Sequence, residues 1–439
     1  MESTLEALQK DINYHKTNNC VQCGYCLPVC PTYITMKKET HSPRGRINLV
    51  KMVGEGAITD LSALEEPINL CLGCRACETA CPTGVEYGSI LESVKATLLK
   101  HKKLSKPTRL MRYTLFRKVF PNRNIMRTTG NAYWLYEKTG LQKTMRKTGL
   151  LDKLPAHLGT FESIMPPAAS PSDRKRNKGP VAAKGKQKYK VAFFTGCIMD
   201  AMFHRINELS VKLLAEAGCE VTIMESQTCC GALQAHSGEI ESAKLLAKQN
   251  IAAFEQIEAD FIVNNAGGCG AALVEYPHLL AEESEWQERA RIFASKTKDI
   301  SEVLVACGGL SGLQNRYEER VTYQRSCHMT NVQKVTEEPV QLLKSIPGIQ
   351  YIEMENLNMC CGSAGIYNIV NYDASMDILD LKMEYVKNTK AAVIITTNPG
   401  CLLQMKLGIK REGLDETVRA LHLIEYLAEV YEFDEGHTA

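Results

Sequence analysis

Cys20, Cys23, Cys26 and Cys30, closed by Pro31, recur in the same spacing as Cys71, Cys74, Cys77 and Cys81, closed by Pro82. Both runs read C-x2-C-x2-C-x3-C-P, and no other feature constrains the fold as tightly. In this spacing three thiolates of one run wrap a 4Fe-4S cube, while the fourth, turned away by its proline, reaches the cube of the other run. The expected ligand sets are Cys20, Cys23, Cys26 and Cys81 for one cluster, and Cys71, Cys74, Cys77 and Cys30 for a second. Two cubes held this way cross-link two segments of chain. Zinc also uses the C-x2-C step, but it needs neither the third step nor the trailing proline.

The chain has 18 cysteines in 439 residues, no basic and apolar leader, and no apolar run long enough to span a membrane. A cytoplasmic location is the expectation, and there disulfides are uncommon and metal ligation is the natural use of so many thiols. A net charge of +2 argues against nucleic acid as a partner. At this length more than one domain is expected.

Residues 1–95 read as a two-cluster, mainly helical module of the ferredoxin type. Between its runs, Ser42-Pro43 begins a helix that carries Arg44 and Arg46. Solvated charge is the default reading of these arginines, and a position facing a cluster is the alternative. Residues 96–165 form a basic, mainly helical connecting segment in which Lys100, Lys103, Lys106, Arg109, Arg112, Arg117, Arg123 and Arg127 meet no acid before Glu137. It suits either solvent or docking to an acidic partner or an anionic membrane surface, the latter making the chain peripheral at the inner face of a membrane. Residues 166–188, rich in Pro, Ala, Lys and Gly, read as a linker.

From Tyr189 onward, short β-branched runs alternate with helices, the pattern of an α/β domain with a parallel sheet. Strands over 190–194, 220–224 and 261–264 lead to Cys197, to Cys229-Cys230 and to Cys269. The order then repeats. Strands over 320–324, 350–353 and 392–396 lead to Cys327, to Cys360-Cys361 and to Cys401, with helices expected over 331–345 and 374–388. Corresponding cysteines are offset by 130 to 132 residues, so the chain contains a duplication, with repeats over 189–310 and 311–439. Because each thiol follows a strand, all four in a repeat can converge beyond the carboxyl edge of its sheet. Cys197, Cys229, Cys230 and Cys269 form a third set, and Cys327, Cys360, Cys361 and Cys401 a fourth. Each set suits a further iron-sulfur cluster, a structural zinc, or a reactive dithiol. Cys219 and Cys307 stand outside every set and read as small core residues. His328, beside Cys327, has no counterpart in the first repeat, where Ile198 sits; it reads as an ordinary bonded histidine, a donor to a metal ligand or a proton-handling group.

The two cysteine runs, together with Phe194-Thr195-Gly196-Cys197, Cys229-Cys230-Gly231, Cys327-His328-Met329, Cys360-Cys361-Gly362 and Asn398-Pro399-Gly400-Cys401, cover nearly the whole chain. This combination resembles the family of glycolate oxidase (glycolate dehydrogenase) iron-sulfur subunits, within a wider group that includes heterodisulfide reductase-like and anaerobic glycerol-3-phosphate dehydrogenase subunits. The resemblance implies two tandem cysteine-rich CCG domains. It also implies an electron-transfer subunit that takes electrons from FAD-bearing partners oxidising glycolate and passes them to a quinone or another acceptor. Heterodisulfide reductase relatives end each CCG domain in C-x2-C, but Ala266 and Asn398 occupy the first of those positions here, so ordinary four-thiolate ligation is expected. The alternatives are a thiol-disulfide redox subunit, or the iron-sulfur subunit of a lactate or glycerol-3-phosphate dehydrogenase. No G-x-G-x-x-G follows a strand and no His and Arg pair suits hydroxy-acid oxidation, so a catalytic site for the substrate is expected on a partner.

Overall fold

A computed structural model describes residues 4–151, 157–174, 179–310 and 317–432. The N-terminal module is built from short helices around its two cysteine runs. Ser42 caps the helix Pro43–Gly54, its Oγ accepting from Gly45 N at 3.0 Å. That helix and Tyr87–His101 enclose a small apolar core of Ile12, Ile47, Val50, Leu64, Ile68, Ile90 and Val94.

The connecting segment is helical, over Lys106–Thr114, Arg123–Lys138, Leu141–Lys147 and Leu158–Glu162. Many of its cations find acids elsewhere in the chain. Arg112 pairs with Glu239 at 3.1 Å, Arg127 with Asp200 at 3.2 Å, Arg123 with Glu225 at 3.1 Å, and Lys102 with Glu65 at 2.6 Å. Much of the charge asymmetry of this segment is therefore intramolecular. The described part of 166–188 is not a free tether. Arg174 is buried and donates to the carbonyls of Asp200 and Ala201, both at 2.8 Å, and Val181 bridges Val221.

Each repeat contains a four-stranded parallel sheet. The first comprises β1 (Tyr189–Phe193), β2 (Cys219–Ile223), β3 (Phe261–Asn264) and β4 (Thr297–Asp299), in the order β2-β1-β3-β4. The second comprises β5 (Arg320–Gln324), β6 (Gln350–Tyr351), β7 (Val393–Thr396) and β8 (Arg419–His422), in the order β6-β5-β7-β8. In register, Val191 lies between Val221 and Phe261, and Val321 between Tyr351 and Val393. The short edge strands β4 and β8 were not expected. The single helix expected over 331–345 is split into a π-helical turn Met329–Gln333 and a helix Glu338–Lys344. Lys334 in the left-handed region at φ 63° ends the first piece, and Pro339 can sit only in the first turn of the second.

The repeats share one hydrophobic core, in which Ile206, Leu209 and Leu213 join Leu423, Tyr426 and Leu427. Gly267 N donates to Thr397 O at 3.0 Å, and His422 Nε2 donates to Asn265 O at 2.9 Å. His422 Nδ1 at the same time accepts from Ile424 N, which fixes its tautomer. Burial lowers the His422 pKa to about 4, so the ring stays neutral.

Candidate metal centres and their connections

The fold gathers sixteen thiols into the four sets read from the spacing. Cys20, Cys23, Cys26 and Cys81 line one hollow, Cys30, Cys71 and Cys74 line the next, and Cys77 lines both. Cys30 and Cys81 do cross over. In the first repeat Cys197 Sγ lies 3.3 Å from Cys229 Sγ, and Cys230 interacts with both Cys229 and Cys269. In the second repeat Cys327 meets Cys360, and Cys361 meets both Cys360 and Cys401. All eight of these thiols sit at carboxyl edges of the sheets, where the strand order reverses about β1 and β5. Among the described residues no three His, Cys, Asp or Glu side chains are arranged to hold a single metal ion.

Donors aim at these sulfurs. Tyr87 Oη and Gly73 N each lie 3.4 Å from Cys71 Sγ, Val85 N lies 3.5 Å from Cys81 Sγ, and Asn398 Nδ2 lies 3.6 Å from Cys401 Sγ. Asn398 thus supports a neighbouring thiol from the position where a fifth cysteine would stand. Burial and then the adjacent thiols push Cys74 and Cys77 far above the ordinary thiol range. Buried thiols of this kind ionise readily against a cationic centre, which an iron-sulfur cluster or a zinc ion would supply.

Arg46 corrects the default reading of its helix. It is almost fully buried, donates to Pro67 O at 2.6 Å and to Thr32 Oγ1 at 3.0 Å, and Thr32 in turn contacts Cys30 Sγ at 3.2 Å. Burial raises the Cys71 thiol, but the cations of Arg46 and Lys95 outweigh it and hold Cys71 below its ordinary value. Arg44 stays near the surface, paired with Glu39 at 2.6 Å. Lys382 is a second buried cation that sequence reading missed. It donates to Asn356 O at 3.0 Å, and burial lowers its pKa to about 8 against the pull of Cys361, Cys360 and Cys401.

The second and fourth sets are neighbours. Four side chains of the second repeat hold the main chain of the second cysteine run: His328 Nε2 bonds Gly73 O at 3.0 Å, Asn331 bonds Cys74 O at 2.8 Å, Tyr367 bonds Leu70 O at 3.3 Å, and Asn371 bonds Asn69 O at 3.1 Å. Leu72, Cys74, Cys327 and Cys360 share one small apolar cluster at this junction. The first set lies at the surface, with Cys23, Val21 and Tyr25 exposed. Cys219 and Cys307, unpaired in the sequence, meet with Sγ atoms 3.5 Å apart in the first-repeat core.

Three family models match, over four stretches of the chain. A 4Fe-4S dicluster domain covers residues 16–85, the linker region of the glycolate oxidase iron-sulfur subunit covers 107–165, and the cysteine-rich domain occurs twice, over 191–274 and 321–406. The probable glycolate oxidase iron-sulfur subunit of Bacillus subtilis is 51% identical over 94% of this chain and 93% of its own length. This chain belongs to the family of glycolate oxidase iron-sulfur subunits. Membership carries an iron-sulfur electron-transfer role within an oxidoreductase complex. The Escherichia coli glycolate oxidase iron-sulfur subunit is 30% identical over 87% of this chain and 88% of its own length. Lactate utilization protein A of Oceanobacillus iheyensis is 36% identical over 54% of this chain and 96% of its own length. The crystal structure of a hypothetical protein from Helicobacter pylori shares the fold, with a TM-score of 0.55 at 9% identity, covering 98% of this chain and 77% of that one.

Proposed function

We propose that the chain relays electrons from FAD-bearing partner subunits that oxidise glycolate to a quinone or another acceptor, and that it does not itself oxidise the substrate. The ligand sets are Cys20, Cys23, Cys26 and Cys81, then Cys71, Cys74, Cys77 and Cys30, with Cys327, Cys360, Cys361 and Cys401, and Cys197, Cys229, Cys230 and Cys269, as further iron-sulfur sites in the repeats. A 4Fe-4S cluster, when bound, takes up and releases one electron.

The observation that carries this reading is the junction of the second and fourth sets, where Cys74 and Cys327 lie in one apolar cluster under four hydrogen bonds. The residues on either side have distinct work. Val21 and Tyr25 present an apolar surface beside Cys23, suited to a partner. Arg46 and Lys382 place buried positive charge near the second and fourth sets, which favours their reduced states. Lys103, Lys106, Arg109 and Lys118 remain exposed beside exposed Leu110 and Met111, a surface that fits peripheral contact with an anionic membrane. No helix among the described residues is long and apolar enough to cross a membrane.

Replacing Cys74 by Ser in the assembled complex tests the relay. Electron flow from glycolate to the acceptor at the unaltered rate would end this reading. The likeness to lactate utilization proteins favours one second reading, a partner that oxidises lactate. Assaying the co-purified complex with both acids separates the two.

A further inference from the structure

A cavity of about 450 Å³ opens where the N-terminal module, the connecting helices and both repeats meet. Its volume lies within the range of small-molecule sites. Leu91, Leu98, Leu233 and Ile366 give it a largely apolar lining, to which Cys71, Gly73 and His328 also belong. An occupant would touch the second thiol set directly and the fourth through His328, the neighbour of Cys327. Val370 lines the cavity and is 63% exposed, which puts the opening on that side.

The charges of the lining decide what kind of molecule suits it. Lys102 is paired with Glu65 at 2.6 Å, Arg112 with Glu239 at 3.1 Å, and His236 with Glu92 at 3.2 Å. Lys102 and Arg112 are neutralised by protein carboxylates, and Glu92 near Lys95 adds a further negative charge, so the cavity is poorly suited to a small carboxylate. Lys95 forms no ion pair or hydrogen bond among the described residues, and His236 has only its Nδ1 engaged by Glu92, its ring 5.1 Å from that of His328. A neutral, mostly apolar molecule with hydrogen-bond-accepting oxygens meets these conditions.

We propose that this cavity binds a quinone ring as the electron acceptor, with Lys95 donating to a ring carbonyl. The proposal rests on the relay reading for the source of electrons. The quinone gains two electrons, delivered one at a time from the reduced iron-sulfur sites, and two protons from water, and leaves as the hydroquinone; no other reductant enters.

The test uses the iron-loaded full chain, purified without oxygen and kept oxidised so that binding is read without turnover. Titration calorimetry with a short-chain 1,4-naphthoquinone should show one saturable site. Leu233→Trp, which fills the cavity, and Val370→Trp, an exposed position that leaves the core intact, should each weaken binding tenfold or more, with unchanged EPR spectra after dithionite reduction. Absence of saturable binding to the unaltered chain, or an affinity in both variants unchanged from that of the unaltered chain, would overturn the proposal, as would glycolate displacing the quinone. Failure of the relay reading looks different: the quinone binds and both variants lose it, but the flavin partner leaves the EPR signals of the chain unreduced.

Discussion

His328 Nε2 lies 3.0 Å from the carbonyl oxygen of Gly73, so the residue beside Cys327 is bonded to the loop between Cys71 and Cys74. Asn331 repeats the arrangement one step on, at Cys74 O. Each buried bond of this kind contributes about 0.5–1.5 kcal/mol. The double variant His328→Ala, Asn331→Ala is expected to keep its iron but to slow electron transfer between the N-terminal module and the second repeat. Freeze-quench EPR after mixing with the reduced flavin partner measures that step.

Arg46 and Arg44 sit two residues apart on one helix and should behave oppositely. Arg46→Leu leaves Thr32 and Pro67 without their donor beside Cys30 and Cys71, and is expected to cost about 3–5 kcal/mol, as removing one partner from a buried charged network does. Arg44→Ala breaks a surface pair and should cost about 1 kcal/mol or less. Iron content and thermal denaturation of the two variants check the contrast.

Asp299 caps the helix Ile300–Ala306 from a fully buried position, and burial raises its pKa to about 7. In the unfolded chain the same carboxyl titrates at about 4. Between these values the native state holds a proton that the unfolded state has released. Stability from this group is therefore complete below about pH 4, falls as pH rises toward 7, and is flat above. The change amounts to about 3–5 kcal/mol. Asp299→Asn should flatten denaturant-unfolding curves across that window.

The N-terminal module has one small core, and its two cysteine runs lie mostly in extended and turn conformations. Removing iron with a chelator is expected to unfold this module while the two sheets persist. Limited proteolysis should then cut within the first 95 or so residues, and circular dichroism should lose helix without losing the sheet signal.

The sequence revealed most where chemistry and local pattern coincide. Val191, Val221, Ile262, Val321 and Val393 sit in strands that end at thiols, and both the strands and the convergence of the cysteines could be anticipated. Strands β4 and β8 were missed because Thr297-Lys298-Asp299 and Arg419–His422 lack an apolar run. The capping boxes Asp299 with Glu302 and His422 with Glu425, which begin the helices directly after them, were the available signal. Arg46 could have been placed too, since it shares a helical stripe with buried Val50 and Val53, whereas Arg44 does not. The contact of Cys219 with Cys307 and the row of bonds onto Asn69, Leu70, Gly73 and Cys74 join segments far apart in the chain. No spacing rule reports them.

Molecular oxygen will not reach the two cysteine runs equally. Cys23 is exposed between exposed Val21 and Tyr25, whereas Cys71 retains only 9% of its surface in the core of the N-terminal module, and Cys74 packs against the second repeat. In air the outer centre should bleach first while the inner one survives. A half-bleached sample would then still hold its fold, but would have lost the terminal that faces a donor.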